Sequence, residues 1–377
     1  MFITIIVFVL VLSLLVFVHE FGHYFSARRL GVKSEEFGFG FPPRIFGIYK
    51  NKEGKWTKVW GNKKVEDNSD TIYSINSIIV GGFVKIKGQD GEDKEMSDSF
   101  SSKKIWKRAV ILASGVFMNI VLAWVIISAG FMIGFPQSVD LDNLPAGAKV
   151  KNSQVKIAQV LNDSPALEAG LKSSDVIVGI EGQTVRSSDD VVKFIEEDQD
   201  NNILLTINRS NEIKEFNIVP KVQDGDKKII GIAFSDTATI SYTWYQSLWE
   251  GVKMTGQLLW AIVYAFYDLI RNLIIGQGAT VEVAGPIGIA DLTGQMVQMG
   301  FIYLLQFTAL LSLNLAIINI LPFPALDGGR LLFLLIEKIK GKPVKQEVEA
   351  VFHNIGFILL MALVVWVTFK DIINIFG

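Results

Sequence analysis

Apolar residues run almost unbroken through four stretches of the chain: Phe2 to about Tyr24, Ala109 to about Phe135, Phe301 to Leu321, and His353 to about Phe369. Each approaches the roughly twenty residues a helix needs to cross the hydrocarbon of a bilayer. Elsewhere the pattern changes period. In "SIIVGGFVKIKG", Val84 and Ile86 alternate with Lys85 and Lys87 as in a strand, and Gly81-Gly82 marks a turn or a close backbone approach. From about Val155 to Pro220 the chain is polar, strand-rich and punctuated by glycine. The expected architecture is a multi-pass α-helical membrane protein with about four transmembrane helices, a membrane-associated β-element and an inserted extracytoplasmic α/β domain. By residue number, 1–135 holds the first two spans and the β-loop, 150–225 the inserted domain, 240–300 an amphipathic helix and connector, and 301–377 the last two spans.

Flanking charge gives an orientation. Arg28, Arg29 and Lys33 follow the first span, and Lys103, Lys104, Lys107 and Arg108 precede the second. Lys338, Lys340, Lys342 and Lys345 lie between the third and fourth. Basic flanks stay cytoplasmic, so the N-terminus, the stretch from about 136 to 300 and the C-terminus are expected outside. A cleaved signal peptide fits residues 2–18 badly, because no basic region precedes them and no small-residue cleavage site follows. Residues 243–276 are apolar but broken by Glu250, Lys253, Asp268 and Arg271, and they carry Trp244, Trp249 and Trp260. An amphipathic helix at the outer interface is favoured over a fifth span.

Composition narrows the chemistry. Half of the residues are hydrophobic and mean hydropathy is +0.37, an excess that calls for lipid. With a net charge of −2 and no basic arm, nothing recommends a nucleic-acid partner. Cysteine is absent, so disulfides, thiol nucleophiles and thiolate ligands are excluded and any metal must be held by His, Asp or Glu. The acidic loop "GQDGEDKEMSD" lacks EF-hand spacing and reads as a solvated loop.

The first span carries His19, Glu20 and His23. Positions i and i+4 share a helix face, so His19 and His23 can present two imidazoles to one ion, with Glu20 about 100° around the axis. A zinc ion there would lower the pKa of a bound water to about 7, with Glu20 placed to take its proton. The alternative is a pair of histidines satisfied inside a helical bundle. Ionisable groups at membrane depth cost on the order of 2 kcal/mol or more each, which favours function. A third protein ligand is required. His353 opens the fourth span and reads as an interfacial residue. Asp327 is the better candidate, because Pro322 and Pro324 must break the third helix and Gly328-Gly329 permit a sharp turn after it. His19 lies roughly 13 Å of helix before Arg28, and Asp327 lies at comparable depth before Lys338 on a helix running the same way.

Two resemblances extend this reading. "VKIAQVLNDSPALEAGLKSSDVIVGIEGQTV", with "DDVVKFIEE" as the longer helix and "NILLTINR" as a later strand, resembles a PDZ domain of the kind attached to bacterial proteases. The set His19-Glu20-Phe21-Gly22-His23, "NILPFPALDG" at 319–328, "FGFGFPPRIFG", "GGFVKIKG", "LASGVFMN" and "VAGPIGIA" resembles the site-2 protease family of intramembrane zinc metalloproteases. Its nearest branch is that of bacterial enzymes cutting anti-sigma factors and remnant signal peptides. The resemblance implies one zinc ion per chain on His19, His23 and Asp327, with Glu20 as the catalytic glutamate. It also implies Asn319 as a clamp on substrate backbone, and the strand of Gly82, Val84 and Ile86 as acceptor of an extended substrate segment. Asn119 matches a second-span motif and is a candidate support of the site, with helix packing an equal alternative.

The implied partners are single-span membrane substrates, an upstream site-1-type protease that removes their outer domain, and the lipid bilayer. The implied location is the bacterial cytoplasmic membrane, with the active site toward the cytoplasm. Two features depart from the family. Gly115-Val116 stands where relatives often have Gly-Pro, and about 66 residues (155 to 220) leave room for one PDZ domain, in which no carboxylate-binding loop is evident. A non-catalytic PDZ scaffold and a zinc transporter are the competing readings; an intact Glu20 speaks against the first, and the few relay ligands in the other three spans speak against the second.

Overall fold

The computed structural model describes residues 2–65, 70–89, 91, 93, 95–139, 144–145, 147–197, 202–209, 212–223, 227–276 and 284–376. In chain order its elements begin with α1 (Phe2–Arg29), β1 (Ser34–Lys50), β2 (Trp56–Trp60), β3 (Ile72–Ile86) and α2 (Ile105–Ile133). Next come β4 (Phe135–Ser138), β5 (Lys149–Val160), α3 (Pro165–Glu168), β6 (Val176–Ile180), β7 (Gln183–Thr184), α4 (Ser188–Glu197), β8 (Ile203–Arg209), β9 (Glu212–Ile218), β10 (Lys221–Gln223), β11 (Lys227–Ile229) and β12 (Ile232–Ser241). The chain closes with α5 (Trp244–Ile274), α6 (Pro286–Met299), α7 (Phe301–Ile320), α8 (Asp327–Lys340) and α9 (Gln346–Phe376). These form two compact units, one of Met1–Ile127 with Gly251–Gly377 and one of Ser128–Glu250.

The first unit holds the long apolar helices. α1, α2, α7 and α9 are each long and apolar enough to cross a membrane, as the four sequence runs predict. α1 stops after its basic last turn, where Gly31 takes φ +74° and the Val32 N–H returns to the Ala27 carbonyl at 2.8 Å. That closure satisfies a carbonyl the helix end would otherwise orphan. The sheet β2-β1-β3 lies against α1. Phe37 of β1 stacks on Tyr24 at 4.7 Å between ring centroids, and the Gly81 N–H donates to Ser13 Oγ at 3.1 Å. Gly81 has φ +75°, and a Cβ there would lie 2.8 Å from Val16 Cβ, so the Gly-Gly pair is a close approach of strand to helix.

The stretch 240–300, expected as one amphipathic helix and a connector, contains a second helix, α6, packed on α1, α7 and α9. Asp371 of α9, 7% exposed, caps it by accepting from the Gly285 N–H at 3.1 Å and the Gly288 N–H at 2.7 Å. This explains "GPIG". Proline suits the first helical position, and a Cβ at either glycine would press on the Asp371 carboxylate.

The second unit holds the stretch that resembles a PDZ domain in sequence. Its sheet runs β4-β12-β5-β6-β8-β9, with β7 on β6 and a separate β10-β11 hairpin. Inward residues alternate along β8 as Ile203, Leu205 and Ile207, and meet Val155, Leu171 and Val191 in one apolar core. Ser164 caps α3, its Oγ accepting from the Leu167 N–H at 3.2 Å. The boundary expected at 225 falls short. β12 pairs with β5 from Ile232–Val160 to Ser241–Lys149 and also with β4, so it is an interior strand of the sheet.

Asp175, 2% exposed, is held by Arg209, whose Nε and Nη2 donate at 2.7 Å each, and by the Lys172 N–H at 2.8 Å. Burial raises its pKa, but the Arg209 and Lys172 hydrogen bonds outweigh it and leave the carboxyl below its ordinary 3.8.

Candidate metal centre

α1 presents His19 and His23 one turn apart on a single face, 7% and 6% exposed. Asp327 reaches them from the start of α8. α7 ends at Ile320, and the loop of Pro322 and Pro324 folds back so that Asp327 is the first residue of the next helix. A Cβ at Gly328 would meet the Leu321 carbonyl oxygen, and one at Gly329 the Phe323 carbonyl oxygen, so both glycines are needed for this return.

Three donor atoms converge. His19 Nε2 lies 3.0 Å from Asp327 Oδ2, His23 Nε2 lies 3.1 Å from the same oxygen, and the two Nε2 atoms are 3.1 Å apart. Tetrahedral zinc with ligands at about 2.0–2.1 Å separates its donors by roughly 3.3 Å, so this triangle fits an ion with a few tenths of an ångström of relaxation. The hydrogen bonding points the same way. His23 Nδ1 donates to the Ile111 carbonyl at 2.8 Å, so that a neutral His23 carries its lone pair at Nε2. Nε2 is the atom turned toward Asp327 Oδ2 at 3.1 Å, the side on which an ion would be held.

α2 completes the cradle by close approach. A Cβ at Gly22 would strike the Ser114 carbonyl oxygen, and a Cβ at Gly115 would lie against His23 Nε2, 2.7 Å from His19 Cε1 and 2.8 Å from His19 Nε2. Ser26 Oγ and Ser114 Oγ join across the same seam at 2.7 Å. Small residues at the contact let these helices pack backbone to backbone.

Glu20 Oε2 accepts from the Val84 N–H at 3.1 Å, which ties the acid of α1 to β3. A cavity of about 360 Å³ beside the triad is lined by Glu20, His23, Val84, Ile86, Asp327 and Arg330 among others. Gly82 sits one strand step back, its backbone against Phe17, outside that lining. Asn319 occupies the last turn of α7, half-buried, and does not line the cavity.

Two residues at the site carry contacts that sequence reasoning did not supply. His353, read as interfacial, accepts from the Ala325 N–H at 2.9 Å through Nδ1. It thereby holds the loop that presents Asp327 at a point where Ala325 takes φ +71°. Asn119 is fully buried, with Nδ2 3.4 Å from His19 Nδ1. Neither contact leaves a periodic trace, because each joins residues of different elements well apart in the chain.

The model of peptidase family M50 matches residues 7–363. The chain belongs to peptidase family M50. Two relatives fit that membership over nearly their whole length. The regulator of sigma-W protease RasP of Bacillus subtilis is 30% identical, covering 99% of each chain. A putative zinc metalloprotease of Agrobacterium fabrum is 31% identical, covering 98% of this chain and 96% of that one. Among solved structures, the PDZ domain of an SdrC-like protein from Listeria innocua aligns at 26% identity over 22% of this chain and 92% of that chain, with a TM-score of 0.20. As an M50 peptidase, the protein is an intramembrane zinc metalloendopeptidase.

Proposed function

We propose that this M50 peptidase cuts peptide bonds in or beside the transmembrane segment of single-span membrane proteins, with one zinc ion on His19, His23 and Asp327 and Glu20 as general base. The observation that carries this reading is the triangle of three donors 3.0–3.1 Å apart, buried on helices apolar enough to span a bilayer. Bound zinc supplies Lewis-acid polarisation of the scissile carbonyl and activation of the attacking water. The Glu20 carboxylate accepts the proton of that water and returns it to the departing amide nitrogen.

The substrate must leave its helix before its carbonyl is exposed, and its freed backbone groups then need partners. β3 is an edge of its sheet, with Val84 and Ile86 lining the cavity beside Glu20. An extended substrate segment added at that edge would run past the catalytic acid. The site lies toward the cytoplasmic side of the bacterial inner membrane and the PDZ domain outside it, on the strength of the basic clusters at 28–33, 103–108 and 338–345. α5 rests at the outer interface, with Trp244, Trp249 and Trp260 exposed along it.

A relative carries the name regulator of sigma-W protease, which supports an anti-sigma factor as substrate, trimmed first by another protease; remnant signal peptides present the same kind of helix. The test is the Glu20→Gln variant. It should keep its zinc, lose cleavage by about 10²–10⁴-fold, and let truncated single-span proteins accumulate in membranes. A variant that still cleaves normally refutes the role of Glu20, and one in which every cellular phenotype survives supports a scaffold instead.

A further inference from the structure

We propose that Asn119 is the positioning residue for His19. In this assignment its carboxamide oxygen accepts from His19 Nδ1–H and so fixes the ring tautomer that leaves Nε2 free to bind the ion. The inference rests on the metal site proposed above and goes beyond it to a residue on another helix.

A neutral imidazole carries one N–H and one lone pair, so a ligand histidine is selected by whatever holds its other nitrogen. For His23 that partner is the Ile111 carbonyl, an acceptor that allows no alternative. For His19 the neighbour of Nδ1 is the Asn119 amide, at 3.4 Å. With Nδ2 toward the ring, the amide donates to Nδ1 and sends the ring proton to Nε2, the atom that faces Asp327 and His23. Turned by 180°, the same amide offers Oδ1 to Nδ1–H, and Nε2 keeps its lone pair.

The two orientations have nearly the same shape, so the network decides between them. Asn119 is 0% exposed, and its Oδ1 has no hydrogen-bond partner on the side away from the ring. Either orientation leaves one amide atom over, so counting satisfied groups does not separate them. What separates them is His19, which can join the donor triangle only when its Nδ1 bears the proton.

The backbone around Asn119 is held for this task. Ser312 Oγ of α7 donates to the Asn119 carbonyl at 2.8 Å, and Gly115, one turn earlier on α2, lets the helix approach both rings. The amide can rotate about its own side chain, while the Cα that carries it is fixed by a neighbouring helix.

The experiment uses the full chain in detergent, with histidine ¹⁵N-labelled and zinc titrated against a competing chelator. Only His19, His23 and His353 contribute signals. The zinc-loaded wild type should show His19 protonated at Nδ1. Asn119→Leu should lose that fixed tautomer and bind zinc about 10–100-fold more weakly, whereas Asn119→Asp, which keeps an acceptor, should stay within about threefold of wild type. A packing role predicts the opposite order, because Leu fills the volume and Asp buries a charge. Wild-type His19 protonated at Nε2, or a Leu variant that binds zinc as the wild type does, overturns the proposal. If the wild type does not bind zinc, or His19→Ala binds it equally well, the metal-site reading itself fails.

Discussion

Gly115→Ala adds one methyl group to α2, and the expected result is loss of the metal site in a protein that stays folded. The new Cβ would lie 2.7 Å from His19 Cε1 and 2.8 Å from His19 Nε2, and nearer still to His23 Nε2. Ordinary contact begins near 3.4 Å, so rings or helix must withdraw by about 0.6 Å or more. The helix is poorly placed to yield, being joined to α1 through Ser26 and Ser114 and to α7 through Ser312. The rings therefore move, and two of the three donors leave a triangle whose edges are only 3.0–3.1 Å. Overpacking costs about 1–3 kcal/mol, while alanine in place of glycine in a helix returns about 0.8–1 kcal/mol, so net stability should fall by only about 0–2 kcal/mol. A displacement near 1 Å at reacting groups costs about 10²-fold in rate, and zinc affinity should fall by at least a similar factor. Chelator competition, turnover on a transmembrane peptide and thermal unfolding measure the three effects. Gly256→Ala is the control, since a Cβ there meets nothing within 4 Å. Gly115→Ala with zinc affinity and turnover within threefold of wild type would refute the argument from close approach.

Two further outcomes test other parts of the fold. The Asp175 pKa is depressed in the folded second unit, so its contribution to stability is complete above the unfolded value near 3.8 and is lost as pH falls through the lower folded value. Arg209→Met should cost about 3 kcal/mol at neutral pH, and that deficit should shrink on acidification as the stranded carboxylate protonates; amide exchange in β6 and β8 reads both, and a deficit independent of pH would contradict the pairing. His353→Ala removes the acceptor for Ala325 N–H, so the loop before Asp327 should loosen and kcat should fall about tenfold with KM little changed. Unaltered kcat would show that the proline-glycine loop holds Asp327 without help from α9.

The spans and the meeting of His19 with His23 were legible because both follow from short-range pattern. A run of about twenty apolar residues in lipid has few alternatives to a helix, and His19 and His23 share a face by the helical period alone. Asp327 could be inferred because Pro322 and Pro324 break a helix where broken backbone has to line a cavity. The same prolines explain why the role of Asn319 did not follow. Asn319 belongs to α7, and the loop resets the helical phase before α8 begins, so eight residues of separation from Asp327 say nothing about direction. β12 escaped for a related reason, since a turn before a strand looks the same whether the strand starts a new domain or returns to an old sheet.

What periodicity could not reveal is the cradle around the ligands, and its composition has a physical cause. Gly22 meets the Ser114 carbonyl, Gly115 meets both imidazoles, Gly328 and Gly329 meet carbonyls of the proline loop, and Gly356 meets Pro324. In lipid, helices gain nothing by hiding apolar surface from one another, so close association must come from backbone contact and the polar links it permits. The absence of side chains at these positions brings three donors within about 3 Å, and the same closeness brings Asn119 to His19 and His353 to Ala325. A sequence displays His19, His23 and Asp327, but a glycine looks alike whether it borders such a cluster or an open turn. Only the distances from its absent Cβ distinguish Gly115 from Gly256, and the two alanine variants turn that distinction into a measurement.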